Sequence, residues 1–522
     1  MSLAVVHSRA LVGLAAEAVA VEVHLAPGLP AFTIVGLADT EVKEARERVR
    51  AALLTCGLDF PSNRRITVNL APADLPKDSG RFDLPIAVGI LLAQGQLASA
   101  DVDRHEFAGE LSLSGALRPV RGALAMGLAA RQAGGRRALV LPPGSAEEAA
   151  LVADAAVWRA GHLLDVVRPL AVPGSGAASA GDAAGAAAGE GPDSAAGWCQ
   201  VAPTPRPAPA AAPDLADVRG QSAGRRALEI AAAGGHSLLL VGPPGSGKSM
   251  LAQRLGGLLP PMTDEEALES AAIASLCGTF NLDRWGQRPT CSPHHSASAV
   301  ALVGGGGAPR PGEISRAHHG VLFLDELPEF PRAALEALRE PLESGRIDLV
   351  RAGRRASFPA RFQLVGAMNP CPCGWRGHPQ RACRCTPEAI DRYQSRLSGP
   401  LLDRIDLQVE VPAVPPAEIL AAPAGEPTAV VQARCLAARE RALRRQGTVN
   451  QRLEGERLQA LARLDAEAQS CLQAVATRWA WSARATHRAL RVARTIADLA
   501  GSEGITAAHV AEAVQYRRGL GG

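Results

Sequence analysis

One stretch constrains this chain more than any other: residues 236–249, which read HSLLLVGPPGSGKS. The apolar run Leu238-Leu239-Leu240-Val241 has the length of a buried parallel strand. Directly after it, Gly242-Pro243-Pro244-Gly245-Ser246-Gly247-Lys248-Ser249 fits the pattern G-x-x-x-x-G-K-[ST]. Glycines let the backbone turn tightly and aim its N–H groups at phosphate oxygens. A lysine at position 248 reaches β- and γ-phosphates, and a hydroxyl at Ser249 suits Mg²⁺. A helix opening near Lys248 would add the positive end of its dipole. An ordinary Gly/Pro turn has no need of this strand–loop–helix setting, so ATP and Mg²⁺ are the expected ligands.

A second stretch supports the first. Val321-Leu322-Phe323-Leu324-Asp325-Glu326 is an apolar strand ending in two acids. Acid pairs at strand ends are common, but one downstream of a phosphate loop has a specific use. Asp325 would hold Mg²⁺ through water, and Glu326 would polarise the attacking water. Together the two stretches predict a P-loop nucleotide hydrolase of α/β class.

Composition sets the frame around this centre. The 522 residues allow roughly two to four domains. Hydrophobic residues are 47% and aromatics only 3%, so the cores must be built from Ala, Leu and Val. A net charge of +3 does not by itself predict a nucleic-acid partner. With no signal-peptide pattern and no run of about 18 uncharged apolar residues, a cytoplasmic location and no membrane contact are expected. Ten cysteines in such a chain argue for thiols or a metal and against a disulfide framework. Lysine occurs only at 43, 77 and 248. Coding bias explains the arginine excess, but a bulky planar guanidinium suits a phosphate loop poorly, which accounts for Lys248.

In chain order, residues 1–170 alternate strand-like segments (18–25, 31–35, 65–69, 138–141) with helical ones (40–56, 84–94, 122–133), an α/β pattern. Asp39 or Thr40 would cap the first helix, whose charges Glu41, Lys43, Glu44, Arg46, Glu47 and Arg48 read as a solvated face. The runs Leu75-Pro-Lys77-Asp78-Ser79-Gly-Arg81-Phe-Asp83 and Gly109-Glu-Leu-Ser-Leu-Ser-Gly-Ala-Leu-Arg-Pro-Val120 resemble the proteolytic domain of Lon proteases. That resemblance places the dyad serine at Arg81 and the dyad lysine at Leu124, so both are missing and no protease activity is expected. Residues 171–213, rich in Ala, Gly, Ser and Pro, read as a flexible linker that includes Trp198 and Cys199. Residues 214–412 form the ATPase core. Its middle holds two histidine pairs, His294-His295 and His318-His319, and a run of glycines from Gly304 to Gly307. Adjacent histidines in a strand would point to opposite faces, so loops lining a channel or a subunit contact are expected there, not a metal.

The run GGGGAPRPGEISRAHHGVLFLDELPEF, with Leu335-Glu-Ala-Leu-Arg-Glu-Pro-Leu-Glu343 and Ala367-Met-Asn369-Pro-Cys-Pro-Cys-Gly374, closely resembles the Mg-chelatase-like AAA+ ATPases of the ComM/YifB family. The likeness covers nearly the whole chain outside the linker. It implies an AAA+ core with a helical lid at 413–522, preceded by the inactive Lon-like domain. It also implies a ring, usually a hexamer of the chain with itself, and for ComM-type members the driving of DNA branch migration in natural transformation. By the same resemblance Asn369 takes the sensor-1 place, Arg404 the arginine finger with Arg396 as its competitor, and Arg484 the sensor-2 place. The family often carries an aromatic in Arg-Pro-Phe before the first histidine pair; this chain has Thr290.

Two further features keep alternatives open. Cys371, Cys373, Cys383 and Cys385 make a compact cluster that suits structural zinc, with reduced loop thiols as the other reading. The chain beyond 413 reads as helices at 467–478, 483–500 and 506–518, with an arginine-rich face at 434–445 that suits either DNA phosphates or plain solvation. Three functions are therefore in contention: a DNA branch-migration helicase, a protein-remodelling ATPase like the chelatase or MoxR machines, and a regulatory module in which ATP only sets assembly. The Lon-like unit disfavours a true magnesium chelatase subunit.

Overall fold

The structure is a computed structural model that describes residues 2–77, 79–175, 177, 198–208, 212–306, 309–351, 354–415 and 423–517. Asp78, Gly307 and most of the expected linker lie outside the described residues. The chain forms two compact units, Met1–Pro207 with Ala271–Trp285, and Ala208–Ser270 with Gly286–Gly522.

The first unit is built on an eight-stranded mixed sheet. Its order is Cys199–Gln200, Val157–Arg159, Ala138–Leu141, His105–Phe107, Ser2–Val12, Ala15–Pro27, Arg64–Ala71 and Ala31–Val35. The long antiparallel pair Ser2–Val12 and Ala15–Pro27 forms its centre. Helix Asp83–Ala93, apolar on all sides, is almost entirely buried against this pair. The approach is close: a Cβ on Gly89 would lie 2.6 Å from a methyl of Val23. The helix Thr40–Thr55 is capped by Asp39, whose side chain accepts from the N–H of Val42 at 2.9 Å. Its charged face is not wholly solvated, because Arg48 donates to the buried carboxylate of Asp83 at 2.6 and 3.1 Å.

The sequence reading places Trp198 and Cys199 in a flexible linker, yet both are docked. Cys199–Gln200 pairs antiparallel with the Val157–Arg159 strand, and the Trp198 ring lies 4.7 Å from His105 and 5.8 Å from Trp158. Two aromatic contacts of the half-buried Trp198 and a strand edge anchor this short segment, while Cys199 and Gln200 stay exposed.

The second unit holds a five-stranded, all-parallel sheet in the order Thr290–Cys291, Val321–Leu324, Gln363–Met368, Leu238–Val241, Leu407–Glu410. Both Leu238–Val241 and Val321–Leu324 are buried throughout, as their unbroken apolar runs require. The strand Gln363–Met368 lies between them, so the C-terminal ends of all three open on one edge. Helices Thr428–Gln446, Ala466–Arg478, Ala483–Leu499 and Ala507–Gln515 share one hydrophobic core with helix Ser222–Gly234 and this sheet.

A buried polar network ties these helices to the sheet. The imidazole of His236, just before the first strand, sits 2.7 Å from Thr495 Oγ1 and 3.4 Å from Asp406 Oδ2. Asn450 donates to both Thr495 Oγ1 and Asp498 Oδ2, and Asp498 also receives Arg445 and the wholly buried Arg494. The arginine face at 434–445 is largely consumed in this way. Arg434 pairs with Glu229 and Glu426, Arg441 donates to the carbonyl of Asp498, and Arg445 forks onto its carboxylate.

Candidate nucleotide site

The loop from Gly242 to Ser249 joins the C-terminal end of Leu238–Val241 to helix Lys248–Leu258. Gly242 has no room for a side chain, since a Cβ would stand 2.1 Å from the carbonyl oxygen of Val411. Gly245 and Gly247 adopt φ of 76° and 93°, with nothing within 4 Å of where their Cβ atoms would be. The loop is thus pinned at one end and open in the middle, with its backbone turned as only glycine turns readily. The Oγ of Ser246 is buried and has no hydrogen-bond partner among the described residues, which fits a ligand oxygen.

Lys248 is buried, and its ammonium donates to the carbonyls of Gly242 at 2.7 Å and Pro243 at 2.9 Å, and to Asn369 Oδ1 at 3.2 Å. Burial lowers its pKa, while Asp325 and Glu326 act to raise it. Ser249 Oγ donates to Asp325 Oδ2 at 2.7 Å. Four side chains from three adjacent strand ends therefore converge: Lys248, Ser249 and Asp325 from the two motifs, and Asn369 from the place the family resemblance implies. The donor set, a hydroxyl beside a carboxylate, is one that suits a hard divalent cation such as Mg²⁺.

Glu326 follows Asp325 with φ of 53°, a left-handed conformation that turns it away from the strand direction. Its Oε2 lies 3.0 Å from His295 Nδ1. The sequence reading weighed His295 only as half of a metal-like pair. The signal for this contact was positional: His295 lies four residues past the strand Thr290–Cys291, which pairs with the strand that ends at Asp325. Gln221 was also missed. Its amide donates to the carbonyls of Ser246 at 2.9 Å and Pro412 at 2.7 Å, bracing the loop from outside.

Arg404 and Arg484 meet elsewhere. Arg404 pairs with Glu343 at 2.6 Å, and the exposed Arg484 reaches the same Glu343 oxygen at 3.8 Å. Arg396 pairs with Glu329 at 2.7 Å. Among the described residues none of the three arginines bonds to Lys248, Ser249, Asp325 or Asn369.

The four cysteines converge. The Sγ atoms of Cys371, Cys373 and Cys383 are 3.4 to 3.6 Å apart, and those of all four cysteines lie within 4.8 Å of one another. These separations are too long for a disulfide and near the ~3.8 Å between thiolates on a tetrahedral zinc. Backbone N–H groups of Trp375 and Arg384 push the Cys373 thiol down to about 6, while burial pushes Cys371 up to about 12. The residues fit zinc. The loop also touches the nucleotide site: a Cβ on Gly374, at φ of 80°, would lie 2.6 Å from Pro244.

The second histidine pair lies off the strands, where a loop is expected, and its rings converge. His318 and His319 lie in a turn, not a strand, and His319 has φ of 59°. Both Nε2 atoms approach Glu269 Oε2, at 3.0 and 2.8 Å, with ring centroids 3.9 Å apart. The cluster resembles a metal triad, but His318 turns no lone pair toward it. His318 Nδ1 accepts from the N–H of Arg361 at 2.9 Å, so the proton of its neutral ring sits on Nε2 and points at Glu269. Burial and the neighbouring His319 push the His318 pKa down to about 4, which keeps that ring neutral.

In the first unit, the two places where the Lon likeness would put a serine and a lysine are both buried. Arg81 donates to Ser79 Oγ and to the carbonyl of Arg121, each at 3.1 Å. The backbone N–H of Leu124 donates to Glu148 at 2.9 Å.

The parallel sheet, the glycine loop and the acid pair together have the form of a P-loop nucleotide site, and comparison with known proteins makes the chain a Mg-chelatase-like member of the AAA+ ATPase class. The family described as magnesium chelatase, subunit ChlI, matches residues 214–419; its C-terminal family matches 425–517, and one described as subunit ChlI of Mg-chelatase matches 21–145. Over 99% of its length the chain is 49% identical to the YifB protein of Salmonella typhimurium, covering 97% of that protein. It is 47% identical to the competence protein ComM of Haemophilus influenzae, over 99% of this chain and 98% of that one. The 38 kDa magnesium-chelatase subunit of Acidiphilium rubrum is 27% identical over 33% of this chain and 54% of its own. The chain belongs to the ComM/YifB family of Mg-chelatase-like proteins.

No described helix is long and apolar enough to cross a membrane.

Proposed function

We propose that this protein is a ring-forming ATPase that couples ATP hydrolysis to the remodelling of DNA, most directly to the movement of a branch point between strands. The observation that carries the ATPase part is the convergence of Lys248, Ser249, Asp325 and Asn369 through hydrogen bonds at one sheet edge. The DNA part rests on the likeness to a competence protein over nearly the full length of both chains. The hairpin Arg346–Arg351 with Arg354–Pro359 adds support, since its sequence carries arginine at 346, 351, 354 and 355.

In this reading the open loop at Gly245 and Gly247 cradles the phosphates, and Lys248 leaves its loop carbonyls to neutralise the β- and γ-phosphoryl oxygens. Ser249 and Asp325 would hold Mg²⁺, which when bound supplies charge neutralisation on the phosphate chain. Glu326 orients the attacking water and takes its proton. Asn369 fixes the polar tip between that water and the phosphoryl group. Arg404 leaves Glu343 to reach the nucleotide of a neighbouring copy, with Arg484 completing the same interface. The helices beyond 413 act as the lid. The first unit is a Lon-like body whose protease pair is replaced by Arg81 and Leu124. Zinc on Cys371, Cys373, Cys383 and Cys385 holds the loop behind Asn369.

The test is steady-state ATP hydrolysis with no DNA, single strands, duplex and a four-way junction, with Lys248→Ala as the blank. The reading expects stimulation by DNA, greatest with the junction. Hydrolysis indifferent to every DNA would overturn the DNA part and point to a protein client.

A further inference from the structure

The second unit holds a cavity of about 690 Å³ at the other ends of the same strands. Gly235, Gly320 and Gln363, which precede or open three of the parallel strands, form its floor. Helix Thr428–Gln446 forms one wall through Leu436, Arg439 and Leu443. Its size is that of a small-ligand site.

Glu265, Glu266, Glu269 and Glu440 line it together with Arg288, Arg361, Arg439 and Arg452, but three of the four acids are already paired. Arg288 is satisfied, by the carbonyls of Pro260 and His319 and by Glu266 at 2.8 Å. Glu266 is thereby used, and Glu269 is used by the two histidines. Glu440 pairs with Arg444 at 3.4 Å on the outside, and Glu265 is exposed. Three guanidiniums remain. Arg439 makes a single hydrogen bond, to the carbonyl of Ala232 at 3.3 Å, and no ion pair. Arg361 and Arg452 make no side-chain hydrogen bond or ion pair with any described residue. Burial, then Arg288, bring Arg439 down to about 10, with Arg452 adding to the shift and Glu266 opposing it; burial, then Arg361, lower Arg452, again against Glu266.

We propose that this cavity is a binding site for a small polyphosphate anion of the pyrophosphate class, held by Arg361, Arg439 and Arg452. Three planar forks around one open cavity call for several oxygens carrying several charges, and a lone carboxylate offers too few. The site is separate from the glycine loop, which lies at the opposite ends of these strands. Occupancy would relieve the repulsion and tie helix Thr428–Gln446 to the residues that open the sheet.

Titration calorimetry with inorganic pyrophosphate, on the full chain carrying Lys248→Ala to weaken the glycine loop, tests this. One saturable site per chain is expected, weakened about tenfold or more by Arg452→Ala and by Arg361→Ala. Both side chains are exposed, so neither change threatens folding. Inorganic phosphate should bind the same site more weakly. Absent binding, or binding untouched by both substitutions, would overturn the proposal. So would retention of a single-stranded oligonucleotide through these arginines without competition from pyrophosphate, because the occupant would then be a nucleic-acid strand. None of these outcomes depends on hydrolysis, so a failure here is distinct from a failure of the ATPase reading.

Discussion

Lys248 and Asn369 share a hydrogen bond of 3.2 Å across the gap between two strand ends, so each side chain fixes the other before any ligand arrives. The Lys248→Ala change removes the cation and this anchor together. Its hydrolysis rate should fall by at least about 100-fold, as losses of transition-state charge stabilisation do. Glu326→Gln should separate binding from chemistry: kcat falls about 10²- to 10⁴-fold while a fluorescent ATP analogue still binds with nearly unchanged affinity. Equal loss of affinity in both variants would contradict the separate roles. Lys248 and Glu326 are legible in the sequence because each sits in a short motif whose spacing dictates its place, while Asn369 is placed only through the resemblance to the ComM/YifB family. His295, Gln221 and Glu343 are not legible, because nothing local marks a residue whose partner lies far along the chain. The convergence of His318 and His319 was also hidden, since it depends on one left-handed backbone angle at His319.

Among the elements, the cysteine loop and the last long helix have the most to say about rigidity. The loop begins two residues past Asn369, and its Gly374 lies against Pro244 of the phosphate loop. Emission spectrometry should find one zinc per chain, and its removal by a chelator should lower kcat without unfolding the protein. Gly374→Ala should raise the KM for ATP, because the added methyl can be seated only by displacing Pro244. An unchanged KM would show that the loop does not brace the site. Helix Ala483–Leu499 carries a different constraint. Asp498→Ala would leave the buried Arg494 without its carboxylate and strip Arg445 of its fork. Chemical denaturation should show a loss of about 3–5 kcal/mol, the usual result of breaking a buried ion pair from one side. The sequence showed the apolar stripe of this helix. It could not show that arginines of helix Thr428–Gln446 turn inward to meet Asp498, because arginine pattern alone is the same for a DNA-facing and a core-facing surface.

At the scale of the molecule the two units answer pH oppositely. In the first, burial raises Asp83 and Glu148 to about 6 despite the donors around each. The folded state then holds protons that the unfolded chain, with carboxyls near about 4, has already released. Stability of this unit therefore falls as pH rises from about 4 to about 6, by on the order of 3 kcal/mol for Asp83 alone. In the second unit, Asp406 is buried, which would raise it, but His236, Arg488 and Arg491 outweigh burial and hold it well below the usual carboxylate range. Its contribution is present above about pH 4 and is lost as pH falls below that. Calorimetry should show the first unit melting at higher temperature at pH 5 than at pH 7, and the second losing stability as pH falls from about 6.5, where an unfolded histidine takes up the proton that buried His318 refuses, with Asp406 adding to the loss in stronger acid. Two units of α/β character were visible in the sequence as alternating periods, but the Ser2–Val12 strand and the docked Trp198 were not. Trp198 is specified by His105 and Trp158, remote from it in sequence, whereas Ser2–Val12 pairs with the strand that directly follows it. If the nucleotide is shared between copies, mixing Lys248→Ala with Arg404→Ala protein should restore hydrolysis that neither shows alone. The measurement that bears most directly on the whole account follows a labelled four-way junction in real time with ATP and Mg²⁺. The account predicts ATP-dependent movement of the branch point, lost in Glu326→Gln protein that still binds the junction. A junction that is bound but never moved, while ATP is steadily hydrolysed, would contradict it.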